Sequence, residues 1–178
     1  AALISCFIGI SLWLTNRNKQ ETNLGLREAF LLTNSAWLLS GIFGALPFVF
    51  SDLGLSFTDA LFESISGITT TGSTILTSIE VASPGIILWR ALLQWLGGIG
   101  IIVMALAILP MLSVGGMQLF KTETYEASDN AIPRARQLAG GIFAVYATLT
   151  LFWTGMLWLA GMSGFDSLIH AMTTLATG

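Results

Sequence analysis

Charge is scarce in this chain. Asp, Glu, Lys and Arg make up 10% of its 178 residues, while 54% are hydrophobic. A soluble domain carries about a quarter charged residues, so this composition, with a mean hydropathy of +0.79, is that of a polytopic membrane protein. Basic residues are the scarcer sign, 7 against 10 acidic, and a net charge of -3 offers no surface for nucleic acid. Cys6 is the one cysteine, which excludes a disulfide or a cysteine metal centre within the chain. His170 is the one histidine. With no hydrolytic triad and no metal-ligand spacing, an enzyme reading has no residues to carry it, and no cofactor bound by this chain is expected.

Long apolar runs are what the chain does have. Residues 1–15, with Trp13 near one end, read as most of a spanning helix rather than a signal peptide, since the first residue is Ala and the chain reads as a fragment of a longer protein. Residues 16–27 turn polar. A second helix is expected from about residue 26 to 50, softened by Gly41, Gly44 and Pro47. Ser83 and Pro84, an N-cap followed by proline at the first helical position, open a third that reaches about Leu112. A polar connection over 113–137 precedes a fourth helix over about 138–162. The expected divisions are a leading helix and connection (1–25), a helix–pore loop–helix repeat (26–112), a connection (113–137) and the start of a second repeat (138–178). Arg17, Lys19 and Arg27 lie in one connection and Lys121, Arg134 and Arg136 in the other, which assigns both to the cytoplasm. Residues 51–83 and 161–178 hold Asp52, Asp59, Glu63, Glu80 and Asp166 and no basic residue, so both face outside and present an acidic mouth that concentrates cations.

Residues 56–74, SFTDALFESISGITTTGST, organise the rest. Ser56 and Asp59 form a capping pair at the start of a segment of about a dozen residues, far short of the roughly 20 needed to cross a bilayer. A segment that dips in without spanning leaves irregular backbone at depth, tolerated where it is buried or lines a wet cavity. The helix C-terminus near Gly67 carries partial negative charge, Gly72 reaches positive φ without penalty, and Thr69, Thr70 and Thr71 add hydroxyl oxygens beside backbone carbonyls. All of this suits a re-entrant pore helix followed by a cation filter. A polar turn between spanning helices fits that stretch alone equally well. The repeat favours the pore: Ser163 and Asp166 cap a second apolar run that ends in threonines and a glycine. Leu61, Glu63 and Ser64 correspond to Leu168, His170 and Ala171, and residues 66–72 to 172–178 after a one-residue gap.

Three further features have structural readings. LGGIG at 96–100 lies in a spanning helix without the strand that a dinucleotide fingerprint requires, so close helix packing by Gly97, Gly98 and Gly100 explains it. Arg90 is expected to pair with a pore-segment carboxylate, Glu63 or Asp59, in a structural role. His170, at the position of Glu63 in the second repeat, is expected to be a hydrogen-bonded structural histidine rather than a ligand or proton relay.

At ESISGITTTGSTI (63–75), LLQWLGGIGIIVMALAILPML (92–112), SVGGMQLFKTE (113–123) and AMTTLATG (171–178) the chain closely resembles the TrkH/TrkG/KtrB superfamily. These are membrane subunits of bacterial potassium uptake systems, related to potassium channels. The resemblance covers nearly the whole chain. It implies an all-α membrane protein of four potassium-channel-like repeats, each a helix, a re-entrant pore loop and a helix, of which this chain is a fragment. It also implies that Thr70, Thr71, Gly72 and Ser73 are filter positions of the first repeat, and Ala176, Thr177 and Gly178 those of the second, with potassium as the transported ion. A multi-pass homodimer in the bacterial inner membrane is implied, in contact with lipid and gated by a cytosolic TrkA-type nucleotide-binding ring. The expected function is potassium uptake, with K⁺ selected by backbone carbonyl and threonine oxygens. The alternatives are a non-transporting membrane assembly or receptor module whose glycines serve packing only, and a carrier for an organic substrate, which would place charged or aromatic groups near the bilayer centre.

Overall fold

The computed structural model describes residues 9–11, 14–15, 26–76, 82–112 and 131–177. Most of the expected first helix, the connections carrying Lys19 and Lys121, the acidic Glu80 and the glycine Gly178 lie outside the described residues. Residues 9–11 and 14–15 are helical, and among the described residues after them five helices follow in order: α1 (Leu26–Val49), α2 (Phe57–Ile68), α3 (Pro84–Leu112), α4 (Ala131–Leu159) and α5 (Gly164–Leu175). No strand occurs among the described residues.

Three of these contain stretches long and apolar enough to cross a membrane: Phe30–Val49 in α1, Pro84–Ala105 in α3 and Ala139–Leu159 in α4. Their outward faces carry large exposed apolar side chains, among them Leu38, Leu151, Trp158 and Leu159. In water this would be a liability; in lipid it is the expected surface. The two 12-residue helices, α2 and α5, are about 18 Å long at 1.5 Å per residue and cannot cross.

The ends of the elements follow from local chemistry. Pro47 sits in the last turn of α1, two residues before its end at Val49, where the chain is about to leave the helix. At the start of α3, the Ser83 carbonyl accepts from the Ile86 and Ile87 amides, closing the first turn behind Pro84. The helix α4 begins at Ala131, earlier than the expected residue 138. Its apolar span starts only at Ala139, so hydropathy marks where the helix enters lipid rather than where it begins. Pro133 fits this start because the amides of a first helical turn have no intrahelical partner to lose. At the other end Gly161, with φ +101°, donates to the Trp158 carbonyl and Met162 donates to Leu157. This Schellman arrangement halts the helix at Leu159, short of the expected residue 162.

α3 packs against all four other described helices. One face carries Ile86 and Leu93 into a core with Ala45 and Phe48 of α1 and Ala60 of α2. Another carries Ala91, with Ile87, Leu92 and Trp95 at its edge, against Ile169 and Met172 of α5. Polar ties fix the seams: the Trp89 indole donates to the Gly44 carbonyl at 2.9 Å, and the Trp95 indole to the Thr150 hydroxyl at 2.9 Å.

Candidate functional site

Glu63, Ser64 and Ser66 lie on the buried side of α2, a polar set that a short membrane helix does not bury for its own stability. Two of the three bind the loop that follows. Glu63, fully buried, accepts through Oε1 from the Thr74 hydroxyl and the Ile75 amide, each at 2.6 Å, and through Oε2 from Arg90 Nε at 3.2 Å. The Arg90 side chain is 12% exposed, and it also donates from Nη2 to the Gly72 carbonyl at 2.7 Å. The Ser66 hydroxyl donates to the Ser73 carbonyl at 2.6 Å, and the Ser66 carbonyl accepts from the Thr71 amide at 3.0 Å. The loop is therefore gripped from behind along its outer limb. A buried ion pair contributes little net stability, since desolvation offsets its attraction, so its consequence here is a defined loop conformation. Of the two carboxylates open to Arg90, Glu63 is its partner. Asp59 instead closes the capping box of α2 with Ser56, its carboxylate accepting from the Ser56 amide and hydroxyl.

The helix ends are built alike in both repeats and carry a strain that the sequence did not reveal. Thr70 donates its amide to the Gly67 carbonyl, and Thr71 donates to Ser66, which is the Schellman pattern. Its left-handed position, where glycine is the usual residue, is Thr70 with φ +58°. In α5 the same place is held by Thr177, φ +62°, whose amide donates to Thr174. A β-branched residue in this region costs on the order of 1–2 kcal/mol and persists only where surrounding structure or function demands it. Gly72, φ +76°, is a second left-handed residue, and Thr71 between them is not one. Among the described residues the Thr70 and Thr71 carbonyls accept no hydrogen bond, whereas those of Gly72 and Ser73 are engaged by Arg90 and Ser66. The Thr69 hydroxyl donates to Ile65, so the Thr71 hydroxyl, 2.9 Å away, is the donor of that pair.

The structure also sets the register of the repeats. Counting from the N-caps Ser56 and Ser163, α2 and α5 have equal length, their C-caps are Thr69 and Ala176, and the left-handed threonines coincide without a gap. Ala176 is thus a helix C-cap in right-handed conformation, 3% exposed and matching Thr69 rather than Thr70. Thr177 matches Thr70, and counting on by one residue sets Gly178 against Thr71 rather than Gly72. The expected one-residue gap was wrong because it aligned glycine to glycine, whereas the helix caps fix the spacing. His170 does fall at the place of Glu63; it is exposed, with Nδ1 2.8 Å from the Asp166 carbonyl of its own helix.

Gly97 and Gly98 seat both pore-helix ends on α3. A Cβ on Gly97 would collide with the Ile68 carbonyl, and one on Gly98 would meet Tyr146 Oη at 2.6 Å and Ala176 Cα at 3.3 Å. Gly100 is different, since its nearest neighbour would be Trp37 at 3.6 Å. The hydrogen-bonding roles of Ser66 and Thr74 and the left-handed conformation of Thr70 and Thr177 were not expected from the sequence. For Ser66 a signal existed, as it stands three residues after Glu63 on one helix face.

A spanning helix, a half-length helix ending in a strained threonine loop and a second spanning helix, with the first two elements begun again, define a membrane protein of the helix–pore loop–helix class. A family model described as TrkH, cation transport protein, matches residues 1–178. The chain belongs to that family. It is 51% identical over 151 residues to the Trk system potassium uptake protein TrkI of Halomonas elongata, covering 85% of this chain and 31% of that protein. It is 44% identical over 178 residues to the Trk system potassium uptake protein TrkH of Escherichia coli K12, covering 98% and 37%. The crystal structure of the potassium transporter TrkH from Vibrio parahaemolyticus superposes with a TM-score of 0.77 at 35% identity, covering 93% of this chain and 32% of that one. The chain thus spans about a third of the length of these relatives.

Proposed function

We propose that this chain forms part of a potassium uptake pathway across the bacterial inner membrane, and that residues 70–73 and 176–178 border two of the strands that line it. The observation that carries this reading is the left-handed threonine at the end of both half-length helices. Glycine would fold more easily at either place, so the threonine answers a demand other than folding. Thr70 and Thr71 supply the ion-facing carbonyls, oxygen ligands suited to replacing the hydration shell of K⁺. Gly72 supplies the turn, and Arg90 and Glu63 hold it. Relatives bearing the names of Trk potassium uptake proteins support the choice of ion. On this reading the complete protein has four such repeats, assembles as a homodimer and is gated by a cytosolic nucleotide-binding ring of the TrkA type.

The test is Gly72→Ala in the full-length four-repeat protein this reading implies, reconstituted in liposomes. A Cβ at φ +76° costs on the order of 1–2 kcal/mol of local strain, enough to distort the loop while leaving the helices in place. The preference for K⁺ over Na⁺ should fall about tenfold with little loss of folded protein. Unchanged preference and rate would overturn the assignment.

A further inference from the structure

Glu63 and His170 stand at the same place after the N-caps Ser56 and Ser163, and they are engaged differently. Glu63 takes hold of the chain 11 and 12 residues later, through the Thr74 hydroxyl and the Ile75 amide, with Arg90 as its counter-charge. His170 is engaged on one side of its ring only: Nδ1 lies 2.8 Å from the Asp166 carbonyl, and Nε2 has no partner among the described residues. A carbonyl can only accept, so Nδ1 carries the hydrogen and the neutral ring offers Nε2 as an acceptor. Ser66 and Thr173 correspond in the same way. The Ser66 hydroxyl donates to the Ser73 carbonyl, whereas that of Thr173 turns back to the Ile169 and His170 carbonyls of its own helix. Of these two side chains of α5, His170 is the one with an atom left over for the chain beyond.

The register of the repeats says what that atom meets. His170 and Thr173 line a cavity of about 260 Å³ together with Gly72 and Thr74 of the first loop and Arg90 and Gln94 of α3. The first loop turns back along α2, and the helix caps put α5 in step with α2 without a gap. A second loop that continues as the first does enters this cavity, and the twelfth residue after His170 then stands where Ile75 stands after Glu63. Its backbone amide is the donor to expect, because every residue but proline carries one. The charged groups nearby are already engaged: Arg90 of α3 with Glu63 of α2 at 3.2 Å, and Asp166 of α5 with the Ser163 hydroxyl at 2.7 Å, while α4 carries no charged side chain between Ala139 and Leu159. A protonated imidazole has two donors and no acceptor, so only the neutral ring can hold an amide.

We propose that His170 is a positioning residue of the second loop: its neutral ring donates from Nδ1 to its own helix and accepts through Nε2 from the backbone amide of the twelfth residue after it. His170 touches no permeating ion and acts on the path through the loop it holds. The two loops are then held by unlike means, the first by a carboxylate paired with Arg90, the second by a ring that lets go when it takes up a proton. The segment that fills the cavity is supplied by the four-repeat potassium reading above, on which this role rests.

The experiment measures K⁺ and Na⁺ flux through the full-length protein in liposomes at about pH 7.5 and about pH 5.5, paired with a density map of the wild type at the higher pH. The K⁺ over Na⁺ preference of the wild type should fall about threefold or more across this range, over which an imidazole changes charge. His170→Leu, which keeps the bulk and removes both nitrogens, should show the low preference at both pH values. His170→Gln, which keeps one donor and one acceptor and does not titrate, should restore most of the preference and hold it at both. The map should show the amide of the twelfth residue within hydrogen-bonding distance of His170 Nε2. A map that places that amide elsewhere overturns the role, and this holds even where His170→Leu fails to fold. An equal pH response in wild type and His170→Gln, or unchanged preference in His170→Leu, overturns it as well. Contact between Nε2 and the loop amide in a wild-type protein that carries no K⁺ would keep the placement of His170 and refute the potassium reading instead.

Discussion

Replacing Gly97 by alanine tests whether α3 sets the height of the first pore helix. The added Cβ would meet the Ile68 carbonyl group, with the carbonyl carbon 2.8 Å away and Cα 3.2 Å away. These are backbone atoms at the end of α2, so no side-chain rotation relieves the clash. Either α2 or α3 must move by roughly an ångström in an interior packed as densely as an organic crystal. Overpacking of this kind costs about 1–3 kcal/mol or more, against which better helix propensity returns about 1 kcal/mol. Gly100→Ala gains the same propensity and meets nothing closer than 3.6 Å, so it isolates the clash from the helix effect. Both variants are to be made in the full-length protein and compared by thermal unfolding in nanodiscs and by ⁸⁶Rb⁺ uptake. Gly97→Ala should lower the melting temperature by several degrees and the flux about tenfold, because Ile68 leads directly into the threonine loop. Gly100→Ala should match wild type or exceed it slightly in stability. Equal melting temperature and flux in the two variants would refute the reasoning.

Two more expectations concern the loop itself. Thr70→Gly removes the penalty of a β-branched residue at φ +58° and should raise stability by about 1 kcal/mol while lowering K⁺ over Na⁺ preference; a variant that loses stability would show that Thr70 is not strained. Glu63→Gln leaves the Arg90 charge unpaired and should cost about 3–5 kcal/mol. Adding Arg90→Met should recover part of that loss, and a double-mutant cycle with coupling near zero would deny the pair any role in holding the loop.

Features set by the chain's immediate neighbours were legible in the sequence. Ser56 with Asp59 and Ser163 with Asp166 announce helix starts because a capping oxygen need only find an amide three residues on. Apolar runs announced the spanning helices, and the expectation that an intramembrane arginine seeks a carboxylate led to Glu63 or Asp59, of which Glu63 is the partner. What sequence could not carry was handedness and contact. Nothing in Thr-Thr-Thr-Gly says that Thr70 is left-handed; that follows from the hydrogen bonds to Gly67 and Ser66, which exist only once α2 has formed. Matching glycine to glycine was reasonable by residue type, whereas the caps at Thr69 and Ala176 put the described residues of the two repeats in register without a gap. The burial of Gln94 depends on α2 and α5 approaching α3 from two sides, a long-range fact with no local trace.

The same long-range arrangement bears on how the two loops behave together. Gly97 meets the end of α2 and Gly98, the next residue on the same helix, meets the end of α5. Consecutive residues of an α-helix point about 100° apart and differ in height by 1.5 Å, so one rigid segment of α3 fixes both the angle between the two pore helices and their relative depth. Arg90, about two turns earlier, reaches the Gly72 carbonyl of the first loop. A displacement of α5 therefore reaches the first pore helix through the glycine seat on α3. On the potassium reading proposed above, an oxygen ring contributed by non-identical repeats would have no symmetry axis to keep its members level. That levelling would then fall to α3, which touches both pore helices directly.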